Sequence, residues 1–274
     1  MTSLSWLHFT DLHQGMDGQK WLWPTVRSAF YTDLERVLKK LGTLDLVFFT
    51  GDLTQKAAPA EFIQLNETLA DMWSFFKRHG HTPLFVPVPG NHDLRRPEKT
   101  NPYAKLIRLS WHTDPDVQKD FWENPESEYR KLIAVIFEPY SQWLKTLPLP
   151  TLRYTTGIIP GDFSSVFEKD GFRLGIVGLN SSFLQLFGDV DYESKLDLNE
   201  RQIHSVCGND ADKWCSNNHT NLLLTHHPPS WLDPSAKDRF RMDIAPPGRF
   251  FAHLCGHLHT TQVELLAEGG GVTS

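Results

Sequence analysis

The sequence predicts an α/β fold, with a parallel sheet in its first half and more strands in its second half. Three short apolar segments, at residues 5–10, 44–50 and 84–88, have the length of buried strands. Between them, residues 26–41 and 62–76 repeat apolar side chains at spacings of three and four, which predicts amphipathic helices. Because strands that alternate with helices usually form parallel sheets, this half is expected to be α/β.

The second half is richer in predicted strands. These strands are expected at residues 163–167, 172–179, 221–225 and 250–255, with 260–266 as the remaining candidate. Lys169-Asp170-Gly171 lies between the first two and is a hairpin signal. Asn199 is placed to cap a helix that begins at Glu200.

Residues 94–150 interrupt the alternation of strands and helices. They are rich in proline and aromatic residues, and residues 126–144 have a helical pattern. We interpret 1–274 as a single domain with an insertion at about 94–150, which packs over or beside the core. Its aromatic side chains are expected to be core residues rather than a base-stacking platform.

Composition favours an ordinary globular protein. The chain has 274 residues, 40% of them hydrophobic, and a net charge of -6, which argues against a nucleic-acid surface covering the whole protein. Its three cysteines form no CxxC pair, and their odd number does not suggest a disulfide framework. No stretch resembles a signal peptide or approaches the ~20 apolar residues of a membrane span. We therefore predict a cytoplasmic protein that does not interact with membranes.

Five predicted strands end in side chains that commonly bind metals. The motifs are Asp11-Leu12-His13, Gly51-Asp52, Gly90-Asn91-His92-Asp93, His226-His227 and Gly256-His257-Leu258-His259. In α/β sheets, ligands collect beyond the carboxyl ends of the strands, so motifs far apart in sequence are expected to converge.

The spacing within these motifs has a physical basis. Residues two apart on an extended segment point the same way, so both polar residues of D-x-H or H-x-H reach one site. Glycine allows a sharp backbone turn at the end of a strand. Mixed oxygen and nitrogen ligands suit manganese, iron, zinc or nickel better than calcium. Since the ligands outnumber the needs of one tetrahedral ion, we predict two divalent ions.

In this order, the motifs D-x-H, G-D, G-N-H-D, H and G-H-x-H resemble the calcineurin-like metallophosphoesterase family. The resemblance extends from Asp11 to His259, and the segments LHFTDLHQG and TGDLT look most like the phosphodiesterase and repair-nuclease branches. It implies a four-layer α/β/β/α sandwich, with two mixed sheets face to face and helices outside.

The resemblance also implies roles for individual residues. It assigns the first metal to Asp11, His13, Asp52 and His259, and the second to Asp52, Asn91, His226 and His257. Asp52 would bridge the two ions, and the choice of His226 over His227 rests only on its position in the motif. His92 would lie near the reacting phosphate as the catalytic residue, with Asp93 as its orienting partner.

The implied function is a metal-dependent phosphodiesterase that acts on a nucleotide-type phosphodiester, with manganese as the favoured metal. Two ions would activate a water for in-line attack, and protonated His92 would stabilise the transition state or protonate the leaving oxygen. The alternatives are a metal-dependent DNA nuclease or the effector domain of a larger protein. A non-catalytic scaffold is disfavoured, because no residue of the family pattern is missing.

Arg95, Arg96 and His227 are the candidate substrate-binding residues. Each arginine alone is ordinary surface charge, but together they follow GNHD directly and would steer a phosphorylated small molecule or nucleic acid. Family members usually add strands after G-H-x-H, and here few residues remain. We therefore hypothesise that the chain is the N-terminal domain of a longer protein, with a fused or partner domain following it.

Overall fold

The computed structural model describes residues 3–259, apart from the side chains of residues 19–24. The candidate strand at 260–266 lies outside the described residues. None of the helices within this range is long and apolar enough to cross a membrane.

The first half forms a parallel sheet flanked by two long helices. In chain order its elements are β1 (Trp6–Phe9), α1 (Gln19–Leu38), β2 (Leu46–Thr50), α2 (Pro59–Arg78) and β3 (Leu84–Val88). The strand order is β1-β2-β3, and both pairings are parallel. The predicted alternation of strands and helices is therefore confirmed.

Four short helices fill the predicted insertion. They are α3 (Pro102–Ser110), α4 (Pro115–Glu123), α5 (Glu128–Ile136) and α6 (Glu138–Thr146). Asn101 and Asp114 cap α3 and α4, since their side chains accept hydrogen bonds from backbone N–H groups of the first turn. The segment predicted as helical at 126–144 is two helices that meet at Phe137, with Pro139 in the first turn of α6, where a missing N–H costs little.

The second sheet combines antiparallel and parallel pairings. Its strands are β4 (Thr155–Thr156), β5 (Phe163–Lys169), β6 (Phe172–Gly178), β7 (Thr220–Leu224) and β8 (Ala252–Leu254), in that spatial order. The predicted hairpin joins β5 to β6, and its turn residues Asp170 and Gly171 have φ values of 49° and 79°. The pairings of β6 with β7 and of β7 with β8 are parallel.

The remaining helices lie on the outer side of this sheet. They are α7 (Glu200–Val206), α8 (Ala211–Ser216) and α9 (Pro234–Arg239), with a 3₁₀ turn at Pro229–Trp231 and a π-helical turn at Phe240–Ile244. Asn199 caps α7 as predicted: its side chain accepts from the backbone N–H of Arg201, and the Gln202 side chain accepts from the N–H of Asn199.

The apolar side chains show how the layers pack. Along β2, Leu46 and Phe48 face the second sheet, whereas Val47 and Phe49 face α1 and α2, as the two-residue period of a strand requires. Val177 of β6 points to the other side of the second sheet, into a cluster with α3, α4, α5 and α7. The four-layer α/β/β/α sandwich is therefore confirmed; its second sheet is mixed, and its first is parallel throughout the described residues.

Aromatic residues of the insertion are buried in two places. Trp111, the C-cap of α3, is 2% exposed and donates its indole N–H to the buried carboxylate of Asp197. Trp143 of α6 stacks on Phe62 of α2 and donates to the Asn66 side chain. These positions agree with the expectation that the aromatic residues serve as core.

Asp162 holds a buried polar junction between the end of β6 and α7. Its carboxylate accepts hydrogen bonds from Asn180 N (2.8 Å), Gln202 Nε2 (3.0 Å) and Ile159 N (3.3 Å).

Asp162→Ala would leave three buried donors unpaired, so we expect the free energy of unfolding to fall by roughly 2–5 kcal/mol. Denaturant titration measures this loss. Exposed Asp238 is the control, because Asp238→Ala should change little, and equal effects of the two substitutions would contradict the prediction.

Candidate metal centre

The five polar motifs lie at the carboxyl ends of strands in both sheets. Three follow β1, β2 and β3, and two follow β7 and β8. Backbone hydrogen bonds tie neighbouring motifs together: His13 N donates to Asp52 O (2.8 Å), and Gly256 N donates to His226 O (2.9 Å). The site is therefore built where the two sheets end side by side.

The backbone is unusual at the residues predicted to bind metal. Asp11, His13, Asp52, His257 and His259 have φ values of 56°, 49°, 52°, 72° and 51°. Non-glycine residues seldom adopt this left-handed conformation, which costs of order 1–3 kcal/mol each where it is strained. Such backbone turns a side chain sharply at the strand end, so the fold stabilises an arrangement that local preference disfavours.

Two glycines allow the loops to approach each other closely. A Cβ on Gly51 would lie 2.5 Å from Nδ1 of His226, and one on Gly90 would lie 2.2 Å from Oδ1 of Asp52. A side chain at position 51 would displace His226 and the backbone of Gly90, and one at position 90 would displace Asp52. The glycines of the G-D and G-N-H-D motifs are therefore required by packing around the site.

A first cluster joins the D-x-H motif to the end of the G-H-x-H motif. Nε2 of His13 lies 3.3 Å from Nε2 of His259, which in turn lies 3.5 Å from Oδ1 of Asp11. That oxygen is buried and accepts no hydrogen bond from the described residues, whereas Oδ2 accepts from Thr10 and from the backbone N–H of His257. The free oxygen and the two imidazoles form a donor set suited to a divalent cation.

A second cluster surrounds His226. Its Nε2 atom lies 3.0 Å from Oδ1 of Asn91 and 3.2 Å from Nδ1 of His257. Its other ring nitrogen, Nδ1, donates to the carbonyl of Thr50 at 2.8 Å. Metal-binding histidines usually have such a backbone or carboxylate partner, which fixes the ring and leaves the opposite nitrogen for the ion.

Asp52 lies between the two clusters and is 1% exposed. Its Oδ2 atom is 3.3 Å from Nε2 of His226 and 3.7 Å from Nε2 of His13, and it accepts no hydrogen bond from the described residues. Its Oδ1 atom accepts from the backbone N–H of His92 at 2.8 Å. One carboxylate thus faces both clusters, as a bridging ligand must.

The electrostatics of the second cluster favour a cation. Burial lowers the pKa of His226, but the nearby charge of Asp52 outweighs burial and raises the pKa to about 9. Burial and neighbouring His226 lower the pKa of His257 to about 4. The field that stabilises a proton on His226 would equally stabilise a metal ion at the same nitrogen.

The two adjacent histidines after β7 have different surroundings. Nε2 of His226 points at Asn91 and His257, whereas His227 is held on both sides, with Nδ1 3.0 Å from Ser181 Oγ and Nε2 2.7 Å from Gln185 Oε1. Burial and the nearby imidazoles lower the pKa of His227 well below its ordinary value. The two histidines therefore differ in their partners, although one ring nitrogen from each of His226, His227 and His257 lies within 4.8 Å of the others.

His92 lies at the edge of the first cluster. Its Nδ1 atom donates to the carbonyl of Gln55 at 2.8 Å, and its ring meets that of His13 edge-on at 4.7 Å between centroids. No hydrogen bond from the described residues engages its Nε2 atom. The ring is thus oriented by a backbone carbonyl, with Nε2 available to a substrate.

Asp93 does not contact the His92 ring, so the expectation that it is the orienting partner has to be corrected. Its carboxylate accepts from Gly90 N (2.9 Å), Leu53 N (3.1 Å) and Thr54 N (2.8 Å). These bonds join the loop after β2 to the loop after β3. The orienting contact belongs to Gln55, and Asp93 fixes the position of both loops.

The two arginines after GNHD point differently. Arg96 donates to the carbonyls of Asn91 (3.3 Å) and Gln185 (3.2 Å), which places its guanidinium beside the second cluster. Arg95 is exposed and lines a cavity on the side of α5. The structure therefore brings Arg96 to the site and leaves Arg95 farther along the surface.

Four residues at the site were not found from the sequence. Gln55 orients His92; Ser181 and Gln185 hold His227; and the half-buried ring of Trp231 meets His257 edge-on at 4.0 Å. One signal was available for Ser181, because it follows the carboxyl end of β6 as the motifs follow theirs. No spacing pattern identifies the others.

Comparison with known proteins identifies the family. The calcineurin-like phosphoesterase family matches residues 4–261, whereas no curated protein matches the chain. One similar solved structure is a Staphylococcus aureus protein described as a putative 5'-nucleotidase in complex with alpha-ketoglutarate. It is 11% identical to this chain, with a TM-score of 0.47, and the match covers 96% of this chain and 46% of that one. Another is the sulfate thiohydrolase SoxB of Thermus thermophilus in complex with glycerol, with 12% identity and a TM-score of 0.36 over 83% of this chain and 45% of that one.

The chain thus spans less than half the length of either of these two proteins. The family match, by contrast, covers almost all of this chain and every motif that forms the site. The chain belongs to the calcineurin-like phosphoesterase family.

Proposed function

We propose that the chain is a phosphodiesterase that uses two divalent ions, manganese foremost, to hydrolyse a nucleotide-type phosphodiester. The position of Asp52 is the observation that carries this proposal. Its buried carboxylate faces His13 on one side and His226 on the other. Its Oδ2 atom accepts no hydrogen bond from the described residues, so this shared charge is suited to hold two cations together.

The assignment of ligands follows the two clusters. The first ion would be held by Asp11, His13, Asp52 and His259, and the second by Asp52, Asn91, His226 and His257. When bound, such a pair of ions would supply Lewis acidity to the phosphoryl oxygens and lower the pKa of a water for in-line attack. Asn91 contributes a neutral oxygen, which limits the negative charge facing a phosphate.

His92 is the proposed catalytic residue. Because Nδ1 carries the proton donated to Gln55, protonation of the ring would place a second N–H on Nε2. That proton would pass to the leaving oxygen as its bond to phosphorus breaks, and neutral His92 would remain. Asp93 is a positioning residue, because it fixes the loop that carries His92.

Arg96 is the proposed anchor for the phosphate. Two of its N–H groups donate to backbone carbonyls, and no acceptor among residues 3–259 engages its remaining donors, which can meet a phosphoryl oxygen beside Asn91.

Arg96→Gln should raise KM by roughly tenfold, the usual scale for one charge-assisted hydrogen bond. Steady-state kinetics measures this change. Exposed Arg153 provides the control, and an unchanged KM in Arg96→Gln would remove Arg96 from the site.

The proposal is tested by hydrolysis of bis(p-nitrophenyl) phosphate beside p-nitrophenyl phosphate in the presence of manganese. We expect the diester to be the better substrate, and cyclic nucleotides and single-stranded DNA are the next compounds to compare. Activity on the monoester alone would instead indicate a phosphatase. Inactivity on both, with manganese shown to be bound, would contradict the proposed function.

A further inference from the structure

A cavity of about 570 Å³ lies beside the loop that follows GNHD. Arg95 and Arg96 form one side of it, and Leu132, Val135 and Ile136 of α5 form another. The backbone N–H of Arg95 donates to the carbonyl of Ile136 at 2.8 Å, which fastens the loop to the end of α5. The cavity is therefore a fixed feature of the junction between the insertion and the site.

The charges around this cavity favour an anion. The guanidinium of Arg95 is exposed and makes no ion pair with any residue between 3 and 259. The guanidinium of Arg96 donates two hydrogen bonds, both to uncharged backbone carbonyls. The first turn of α3, at Asn101 and Pro102, also lines the cavity, so the positive end of that helix faces it. Glu98, the one acidic residue of the wall among residues 3–259, accepts a long hydrogen bond from Thr100.

The opposite wall is apolar and partly open to solvent. Val135 is 50% exposed, and Leu132 beside it is half-buried. Apolar side chains left open next to arginines that make no ion pair within residues 3–259 suit a ligand that carries both an anionic group and a flat or apolar group. A nucleotide unit has both.

The cavity is continuous with the metal centre through Arg96. The same guanidinium lines the cavity and donates to the carbonyl of Asn91, a proposed metal ligand. A substrate whose reacting phosphate lies at the two clusters would therefore extend past Arg96 toward Arg95.

We propose that this cavity binds a second, phosphate-bearing nucleotide unit of the substrate. The additional phosphate lies at Arg95, and the sugar or base of that unit packs on Val135 and Leu132. This inference rests on the proposed function, since it specifies which phosphodiesters the same site prefers: those with a further phosphate near the reacting one.

The test compares two substrates that differ by one phosphate, the thymidine dinucleotide TpT and its 5'-phosphorylated form pTpT. With the manganese-loaded protein, we expect kcat/KM to be roughly 10- to 100-fold higher for pTpT, the scale of a charge-assisted phosphate contact. Equal values for the two dinucleotides would overturn the proposal.

Two substitutions test whether the preference for pTpT over TpT arises in this cavity. Arg95→Glu reverses the charge that meets the phosphate, and Val135→Glu places a negative charge on the half-exposed apolar wall, so each should reduce the pTpT/TpT ratio to about one. Arg153→Glu and Leu109→Glu are matched controls at exposed positions outside the cavity and should keep the wild-type ratio. A preference that survives both cavity substitutions would place the phosphate elsewhere and overturn the proposal.

Failure of the cavity site can be distinguished from failure of the proposed phosphodiesterase activity. If bis(p-nitrophenyl) phosphate is cleaved and the two dinucleotides react equally, the phosphodiesterase stands and the cavity site fails. If no diester is cleaved, calorimetric affinities of the same protein for pTpT and TpT decide the question without turnover. Tighter binding of pTpT that is lost in Arg95→Glu would then support the cavity site, and equal binding would overturn it.

Discussion

Asp52→Asn is expected to abolish measurable hydrolysis and to weaken manganese binding by more than about 100-fold. Substitution of a residue that only positions a metal ligand weakens metal binding by up to about 100-fold, and Asp52 is itself a proposed ligand. The substitution keeps the size of the side chain but removes the charge that lies 3.3 Å from Nε2 of His226 and 3.7 Å from Nε2 of His13. Both proposed ions lose a ligand at once, so the number of bound ions should fall as well as their affinity.

The measurement is a calorimetric manganese titration of each protein, alongside kcat/KM on bis(p-nitrophenyl) phosphate. The asparagine oxygen can still accept the hydrogen bond from His92 N, so the loops should keep their positions and the protein should remain folded. Asp238→Asn, at an exposed position, is the charge-matched control. Wild-type manganese stoichiometry and affinity in Asp52→Asn would refute the bridging role.

Much of the fold could be predicted because its signals are local. The apolar segment 44–50 is a buried strand, residues 62–76 form a helix, and the Lys169-Asp170-Gly171 turn joins two antiparallel strands. Each of these elements is determined by the spacing of apolar residues or by one turn. The division of strands between two sheets is not local. The resemblance implied two mixed sheets, whereas both pairings of the first sheet within the described residues are parallel, as the alternation of strands and helices predicted.

The metal motifs were also visible in the sequence, because each follows its own strand. The contacts that orient them depend on loops that meet only in the folded chain. His92 is oriented by Gln55, which lies 37 positions before it in the sequence. This contact depends on tertiary packing and not on the spacing within a motif. Asp93 was expected to orient His92 because it follows His92 in the sequence. Its carboxylate instead accepts hydrogen bonds from the backbone N–H groups of Leu53, Thr54 and Gly90.

His92→Ala is expected to reduce kcat by roughly 10²- to 10⁴-fold, the contribution typical of a general acid, while manganese affinity stays close to that of the wild type. Affinity should persist because the proposed ligands exclude His92, and because its backbone N–H, which holds Asp52, is unchanged. His79→Ala, on the C-terminal cap of α2, is the histidine control and should leave kcat unaltered.

The leaving group distinguishes two roles for His92. Nitrophenoxide is a weak base that departs without a proton, whereas a nucleoside alkoxide needs one, so protonation of the leaving oxygen predicts a larger loss on TpT than on bis(p-nitrophenyl) phosphate. If His92 only stabilises charge on the phosphoryl oxygens, the two losses should be equal. Since Gln55 keeps a proton on Nδ1 and directs Nε2 away from the backbone, the structure favours the unequal result. Loss of bound manganese in His92→Ala would instead make His92 a ligand and contradict both roles.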